Sequence, residues 1–391
     1  MLTTRTFSLA VQIENILALV LKTRASFRCF ASLISCLAIA PLFTAQTAAT
    51  VLQLQEFLNS KHATKMSDID LAGRLGSAVL TQQLTSNTLS LILANHKVGP
   101  KTTEQLELLA ATSIFKSPPL SELPQSPEPD LNAQKAMLVG AAHFVDFTLH
   151  GLPDFLATRE TTHFANAPLS TQHKALKAKV AIHWVRESRQ EIAYRNGREI
   201  DDSSPSAAGG ASSLPDTTSL TTWGEFGPIL KSVLDDSFVG TVHWSRWQIS
   251  ESNMRVAVFR FAIPQSASHY LVDFCCYRKS QDDPEEYPFR TKPAYHGELY
   301  VEPATGAIDR ITLEAELTED DPVTASAIAV QYGRVNIGGK DYICPIRSVG
   351  VTRFHSRSVE STDEFALEEH VNIVHFLKYH KFGSTSRILP Q

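Results

Sequence analysis

Glu369-His370 with His375 places two imidazoles and a carboxylate within seven residues. On a helix, at His-Glu-x-x-His spacing, such a set would bind zinc and activate water. The spacing here differs and the flanking residues alternate, so the three are expected on a strand, as a surface pattern. His143 and His150, seven residues apart on one stretch, make half of a metal site. No third ligand with metal-like spacing accompanies them, so surface or core histidines are the expectation and no metal is assigned. Asp320-Asp321 and Asp282-Asp283 sit beside prolines and read as solvated loop carboxylates. Gly333 to Lys340 approximates a phosphate loop, but it is one residue too long and lies in a hairpin. Gly-x-Ser-x-Gly, Gly-x-Gly-x-x-Gly and Cys-x-x-Cys do not occur. No catalytic residue and no cofactor is expected.

The aromatic residues say more. Trp244 and Trp247 flank Arg246, and Phe259, Phe261, Tyr270 and Phe274 follow on neighbouring strands. One reading is ordinary sheet core. The other is a concave apolar face that holds a lipid or acyl chain, with a helix from Gly227 to Leu234 as a lid. On that second reading the ligand-binding residues are Trp244, Trp247, Phe259, Phe261, Ile311 and Leu313, although alternation does not say which face of the sheet is the functional one.

The elements that must position these residues follow from period and turn chemistry. Residues 48–116 read as a helical segment. Leu52, Leu54, Phe57 and Leu58 open it, and Ser67 with Asp70 three positions on caps a helix carrying Leu71, Leu75, Val79 and Leu80. A further leucine run ends at Gly99-Pro100, and Leu106, Leu108, Leu109 and Ile114 mark one more helix. Residues 117–130, rich in proline, read as a linker or extended arm. Ala133, Met137, Ala141, Phe144 and Val145 then form one apolar helical face, closed by Gly151 and Pro153. After residue 173 the period falls from 3.6 to 2. Ile311, Leu313, Ala315 and Leu317 alternate with Arg310, Thr312, Glu314 and Glu316, one face buried and one wet. Ala257, Phe259, Phe261 and Ile263 repeat the pattern, as do Phe365, Leu367, Val371 and Ile373. Asn196-Gly197, Pro303 to Gly306 and Gly338-Gly339 supply tight turns. Nine to eleven strands joined this way make an antiparallel meander. The fold class is therefore α+β: a helical segment, then residues 131–391 as a large curved antiparallel sheet, half-barrel-like, with covering helices. Residues 201–222, poor in large apolar side chains, read as a mobile loop.

The chain of 391 residues carries a formal charge of −5, which argues against a nucleic-acid partner. Lys22, Arg24 and Arg28 precede an apolar run from Cys29 to Phe43, and small residues follow to Ala49, so residues 1–47 read as a signal peptide. Its removal leaves 32 basic and 40 acidic residues, a charge of −8. Export to the periplasm or beyond is expected, with lipid anchoring at Cys36 the weaker reading. Of the remaining cysteines, adjacent Cys275 and Cys276 should point to opposite strand faces. Cys344 pairing with one of them, or three buried thiols, are the two expectations.

Four segments resemble a family of uncharacterised exported bacterial proteins: Gly151-Leu152-Pro153-Asp154-Phe155, Gly224-Glu225-Phe226-Gly227, His296 to Val301 with Thr305 to Arg310, and Tyr332 to Gly339. The resemblance spans residues 50–380 and implies no particular activity. More distantly, the exported helix-then-meander pattern is similar to periplasmic lipoprotein-carrier proteins. That similarity implies an incomplete antiparallel barrel, covered by helices, with an apolar cavity for acyl chains. The expected function is a non-enzymatic envelope protein that binds a lipid, lipoprotein or other apolar ligand on a concave sheet face. The alternative is an interaction or scaffold module that docks a protein partner through residues 50–116; an enzyme whose site is assembled from distant residues comes third.

Overall fold

The computed structural model describes residues 47–166, 181–200, 225–277, 285, 287–356 and 366–382. Residues 1–46 of the expected signal peptide, with Cys36, the whole of the expected loop at 201–222, Gly224, Asp282-Asp283 and Phe365 lie outside the described residues. From Ala48 onward the chain is one compact unit.

Four helices come first: α1 (Val51–Asn59), α2 (Asp68–Gly76), α3 (Ser86–Asn95) and α4 (Pro100–Thr112). Their starts are written in local chemistry. Thr50 and Gln53 cap each other reciprocally at α1, Ser67 accepts from the Asp70 N–H at α2, and Thr85 accepts from the Thr88 N–H at α3. Gly99-Pro100 opens α4 rather than merely closing α3, because a proline at the first helical position has no N–H to leave unbonded. Val79 and Leu80 do not extend α2. They belong to β2 (Ala78–Leu80), which pairs with β1 (Thr47–Ala49).

The proline-rich stretch is laid down, not free. The Glu122 carboxylate accepts from the Thr85 and Thr88 hydroxyls at 2.6 and 2.9 Å, and the Pro127 carbonyl accepts from the Trp247 indole at 2.8 Å. It leads to α5 (Leu131–Gly151), capped by Asp130.

The sheet is built from β3 (Phe155–Ala165), β4 (His183–Arg195), β5 (Arg198–Ile200), β6 (Thr241–Ile249), β7 (Arg255–Ile263), β10 (Tyr295–Val301), β11 (Ile308–Ala315), β12 (Val323–Ile337), β13 (Lys340–Ser356) and β14 (Ala366–Lys381). Its order is β5-β4-β3-β14-β13-β12-β11-β10-β7-β6. Every neighbouring pair is antiparallel, and the sheet does not close on itself. This is the expected α+β architecture. The turns at Asn196-Gly197 and Gly338-Gly339 take positive φ at both residues, as two-residue hairpin turns of this hand require. A separate pair, β8 (Val272–Tyr277) with β9 (Tyr287–Thr291), stands beside the sheet order.

Both faces of the sheet are covered. On the first, α5 and α6 (Pro228–Ser237) pack Met137, Ala141, Val145, Ile229, Leu230 and Val233 against the apolar side of β7, β10, β11 and β12. On the second, Leu108 and Ala111 of α4 and the following Ile114 pack on Phe164, Val349, Val371 and Ile373. The expected wet face of β11 is corrected, since Arg310 and Thr312 are 5% and 3% exposed, Arg310 lying on the Tyr300 ring and the Thr312 hydroxyl accepting from the Glu298 N–H. Alternation separates two faces of a strand but does not say which will meet another element. His370, expected at the surface, is likewise buried, with its ring edge-on to Phe354 and to His163. The disulfide joins Cys275 to Cys276, leaving Cys344 a buried thiol. Strand alternation does not govern that pair, because it falls where the β8–β9 register breaks, between Phe274 and Tyr277. Burial pushes the Cys344 thiol up to about 12, so it is protonated at neutral pH.

Candidate functional site

The six residues nominated for an apolar ligand come together. Phe259, Phe261, Ile311 and Leu313 are 1–3% exposed in one cluster, against which Trp244 and Trp247 pack half-buried. The tryptophan rings lie 5.0 Å apart edge to face, and Trp244 meets Phe259 at 5.6 Å. The space above these residues is taken by α5 and α6. A gap of about 20 Å³ persists between those helices and the sheet, lined by Phe144, Leu152, Phe226, Leu230 and Tyr332 among others. That is room for about one water molecule.

The α6 cover is fastened at both ends. Before it, the Glu225 carboxylate, fully buried, accepts from Arg159 Nη2 at 3.3 Å and from the Ser348 hydroxyl at 3.3 Å, while its carbonyl accepts from the Tyr332 hydroxyl. Phe226 enters the core between Phe155 and Phe376. Gly227 then turns the chain at φ 136°, a conformation open to glycine. At the far end Asp236, 2% exposed, accepts from the Tyr295 hydroxyl at 2.7 Å and from the His269 ring at 2.5 Å and its N–H at 2.9 Å. Burial raises the Asp236 carboxyl, but these hydrogen bonds outweigh it and hold it below the usual range.

The opposite face carries a row of polar side chains set by strand register. Tyr300 on β10 pairs with Arg310 on β11, Arg310 with Gln331 on β12, Gln331 with Arg347 on β13, and Arg347 with His375 on β14. In a strand ladder, cross-strand partners project to the same side, so the row runs straight across five strands. At one end it meets a closed network. Arg246 grips Glu298 with both nitrogens, Nη1 to Oε1 at 2.6 Å and Nη2 to Oε2 at 2.7 Å, and Tyr300 and Arg260 complete the carboxylate. Gln248 accepts from Arg246 on the other side. Burial pushes Glu298 up, yet Arg246 overrides it and holds the carboxyl down to about 2.

At the other end the row opens into a cleft of about 320 Å³, between α3, α4 and the sheet. Arg347 projects into it with its side chain 21% exposed. Among the described residues it donates no hydrogen bond; its nearest carboxylate oxygen is Oε1 of Glu251, on the β6–β7 turn, at 4.0 Å. Burial and the Arg310 charge make Arg347 easier to deprotonate than usual, against Glu251 and Glu107. Glu251 is itself engaged. Burial raises its carboxyl, but hydrogen bonding from Ser86 and Gln331 and the two arginine charges hold it below the usual range. His375 is pushed down by burial and by Arg347, so the ring entering the cleft is neutral at neutral pH. Arg310, stacked on the Tyr300 ring at 3.9 Å, leaves its buried Nε without a partner among the described residues, as Gln331 leaves its Oε1.

Comparison of the chain with protein-family models, with curated proteins and with solved structures found no match. Arg347 and Glu251 carried no motif as site residues in the sequence; His375, expected at the surface, is exposed and lines the cleft. The one available signal was that Arg310 and Arg347 each interrupt apolar strand runs. Joining them into one row requires the register of β11, β12 and β13, which spans 37 residues of chain.

Proposed function

We propose that this chain is an exported, non-enzymatic binding protein whose ligand occupies the cleft between the helical segment and the polar face of the sheet. The observation that carries this reading is the contrast in free volume: about 320 Å³ in the cleft against about 20 Å³ beneath α5 and α6. Ligand sites for small molecules begin at roughly 300 Å³. The cleft combines apolar lining, Leu84, Leu89 and Ile373, with three neighbouring polar groups: Arg347, Glu251 at 4.0 Å from it, and its cross-strand partner His375. It therefore gives a ligand both burial and orientation. An acyl chain on Trp244, Trp247, Phe259 and Phe261 would instead have to displace two helices, one fastened by Glu225 and Asp236.

Native mass spectrometry of the gently purified full-length chain, followed by extraction, tests this. A discrete bound small molecule is expected, and it should be lost from Ala110→Phe, which fills the cleft from α4, while the variant stays folded. A bound molecule that survives Ala110→Phe but is lost from Phe261→Asp would overturn the placement in favour of the apolar face.

A further inference from the structure

Resting on that placement, we infer that the ligand is a small organic monocarboxylate, its carboxylate gripped by the Arg347 guanidinium and its apolar body lying against Leu84, Leu89 and Ile373. A guanidinium carries five N–H donors in a planar fork whose spacing matches a carboxylate. The same face of the same sheet shows the satisfied form of this group, where Arg246 holds both oxygens of Glu298 at 2.6 and 2.7 Å. Arg347 has the fork without the carboxylate, since Glu251 Oε1 stops at 4.0 Å. At that distance Glu251 is beyond hydrogen-bond reach and does not take the place the fork leaves open.

The charges around the cleft admit no more than a single negative charge, at Arg347. Arg347 lines it with its guanidinium, while Arg310 stands farther along the row, beyond Gln331. Glu251 and Glu107 on the lining repel a second negative charge, which disfavours phosphate and dicarboxylates. His375, neutral and facing the cleft, offers one further hydrogen bond without adding charge. Besides Gln83 and Ser86 the rest of the lining is Leu84, Leu89, Ala110, Ile114 and Ile373, which favours an aliphatic or aromatic body. A cleft of about 320 Å³ equals roughly ten waters at about 30 Å³ each, the space of a short-chain acid rather than a whole lipid.

Calorimetric titration of the full-length chain with octanoate, octanol, octylamine and inorganic phosphate tests the class. Octanoate should bind at least 10-fold tighter than octanol, and neither octylamine nor phosphate should compete with it. Arg347→Met should erase the preference for octanoate over octanol, and Arg347→Lys, which keeps the charge but loses the fork, should restore part of it. A thermal melt accompanies each variant, so that lost binding is read only from folded protein. Octanol or octylamine binding as tightly as octanoate, in a manner abolished by Ala110→Phe, would overturn the carboxylate while leaving the cleft as the site. Failure of all four probes, together with no Ala110→Phe-sensitive adduct in the mass spectrum, would overturn both readings. Octanoate binding that Arg347→Met leaves unchanged would overturn the role of Arg347.

Discussion

Arg246 and Arg347 lie on the same face of one sheet and illustrate opposite uses of a covered arginine. Around Arg246 every strong group is answered: Glu298 meets a two-pronged guanidinium, a tyrosine hydroxyl and a second arginine. Around Arg347 the carboxylates stand off, and the donors face about 320 Å³ of cleft. A fully satisfied buried network fixes structure, whereas a partly satisfied one at a cleft is where a ligand finds its partners. The lesson is that burial and charge alone do not mark a site; the hydrogen bonds left unmade do.

The comparison breaks most visibly in the closed network. Glu298→Ala leaves Arg246 buried without its carboxylate, and the expected loss of about 3–5 kcal/mol is measurable as a shift in denaturant midpoint at unchanged slope. A loss below about 1 kcal/mol would mean that water replaces the carboxylate and that the network is not closed.

Acid titration sharpens the same contrast through two carboxyls shifted in opposite directions. Glu298, held down to about 2 from 4.5, stabilises the fold above pH 4.5, and that contribution, of order 2–3 kcal/mol, is lost as pH falls toward 2. Asp309, beside Arg310, is pushed up by burial to about 6 from 3.8, with Glu251 and Glu302 adding repulsion. Its ionised form burdens the folded state above pH 6, and the burden lifts as pH falls from 6 to 3.8. Stability should therefore rise modestly between pH 7 and 4.5 from this group, then fall steeply. Asp309→Asn should remove the first limb and Glu298→Gln the second. A variant that leaves its own limb intact refutes that assignment.

The smallest effect belongs to the cleft. Arg347→Met should change stability by less than about 1 kcal/mol in the unliganded chain, because no hydrogen bond is broken and the ion pair to Glu251, at 4.0 Å and facing the cleft, is a weak one. Chemical unfolding without ligand checks it. A loss comparable to that of Glu298→Ala would show that Arg347 serves the fold instead of a ligand.

Much of the fold was legible in the sequence because its causes are local. The helix start at Ser67 depends on a side chain within three residues of the N–H it bonds, and the unremarked starts at Thr50 and Thr85 use the same local device. Alternation in β7 and β11 and the Asn196-Gly197 and Gly338-Gly339 turns specify hairpins, and hairpins in series specify an antiparallel sheet. The nominated aromatic cluster was also legible, since Trp244, Phe259 and Ile311 share a face by strand period.

Other features had no local cause. Which face of the sheet would be sealed depended on where α5 and α6 landed, and whether Arg347 would face a cleft depended on α3 and α4, far earlier in the chain. Glu225, read only as part of a motif, became the buried partner of Arg159, 66 residues away. Sequence by itself determined periods, caps and turns, because these are settled by neighbours in the chain. The tertiary structure alone decided which polar groups would be paired and which left facing a cleft, because hydrogen bonds and free volume are settled by neighbours in space.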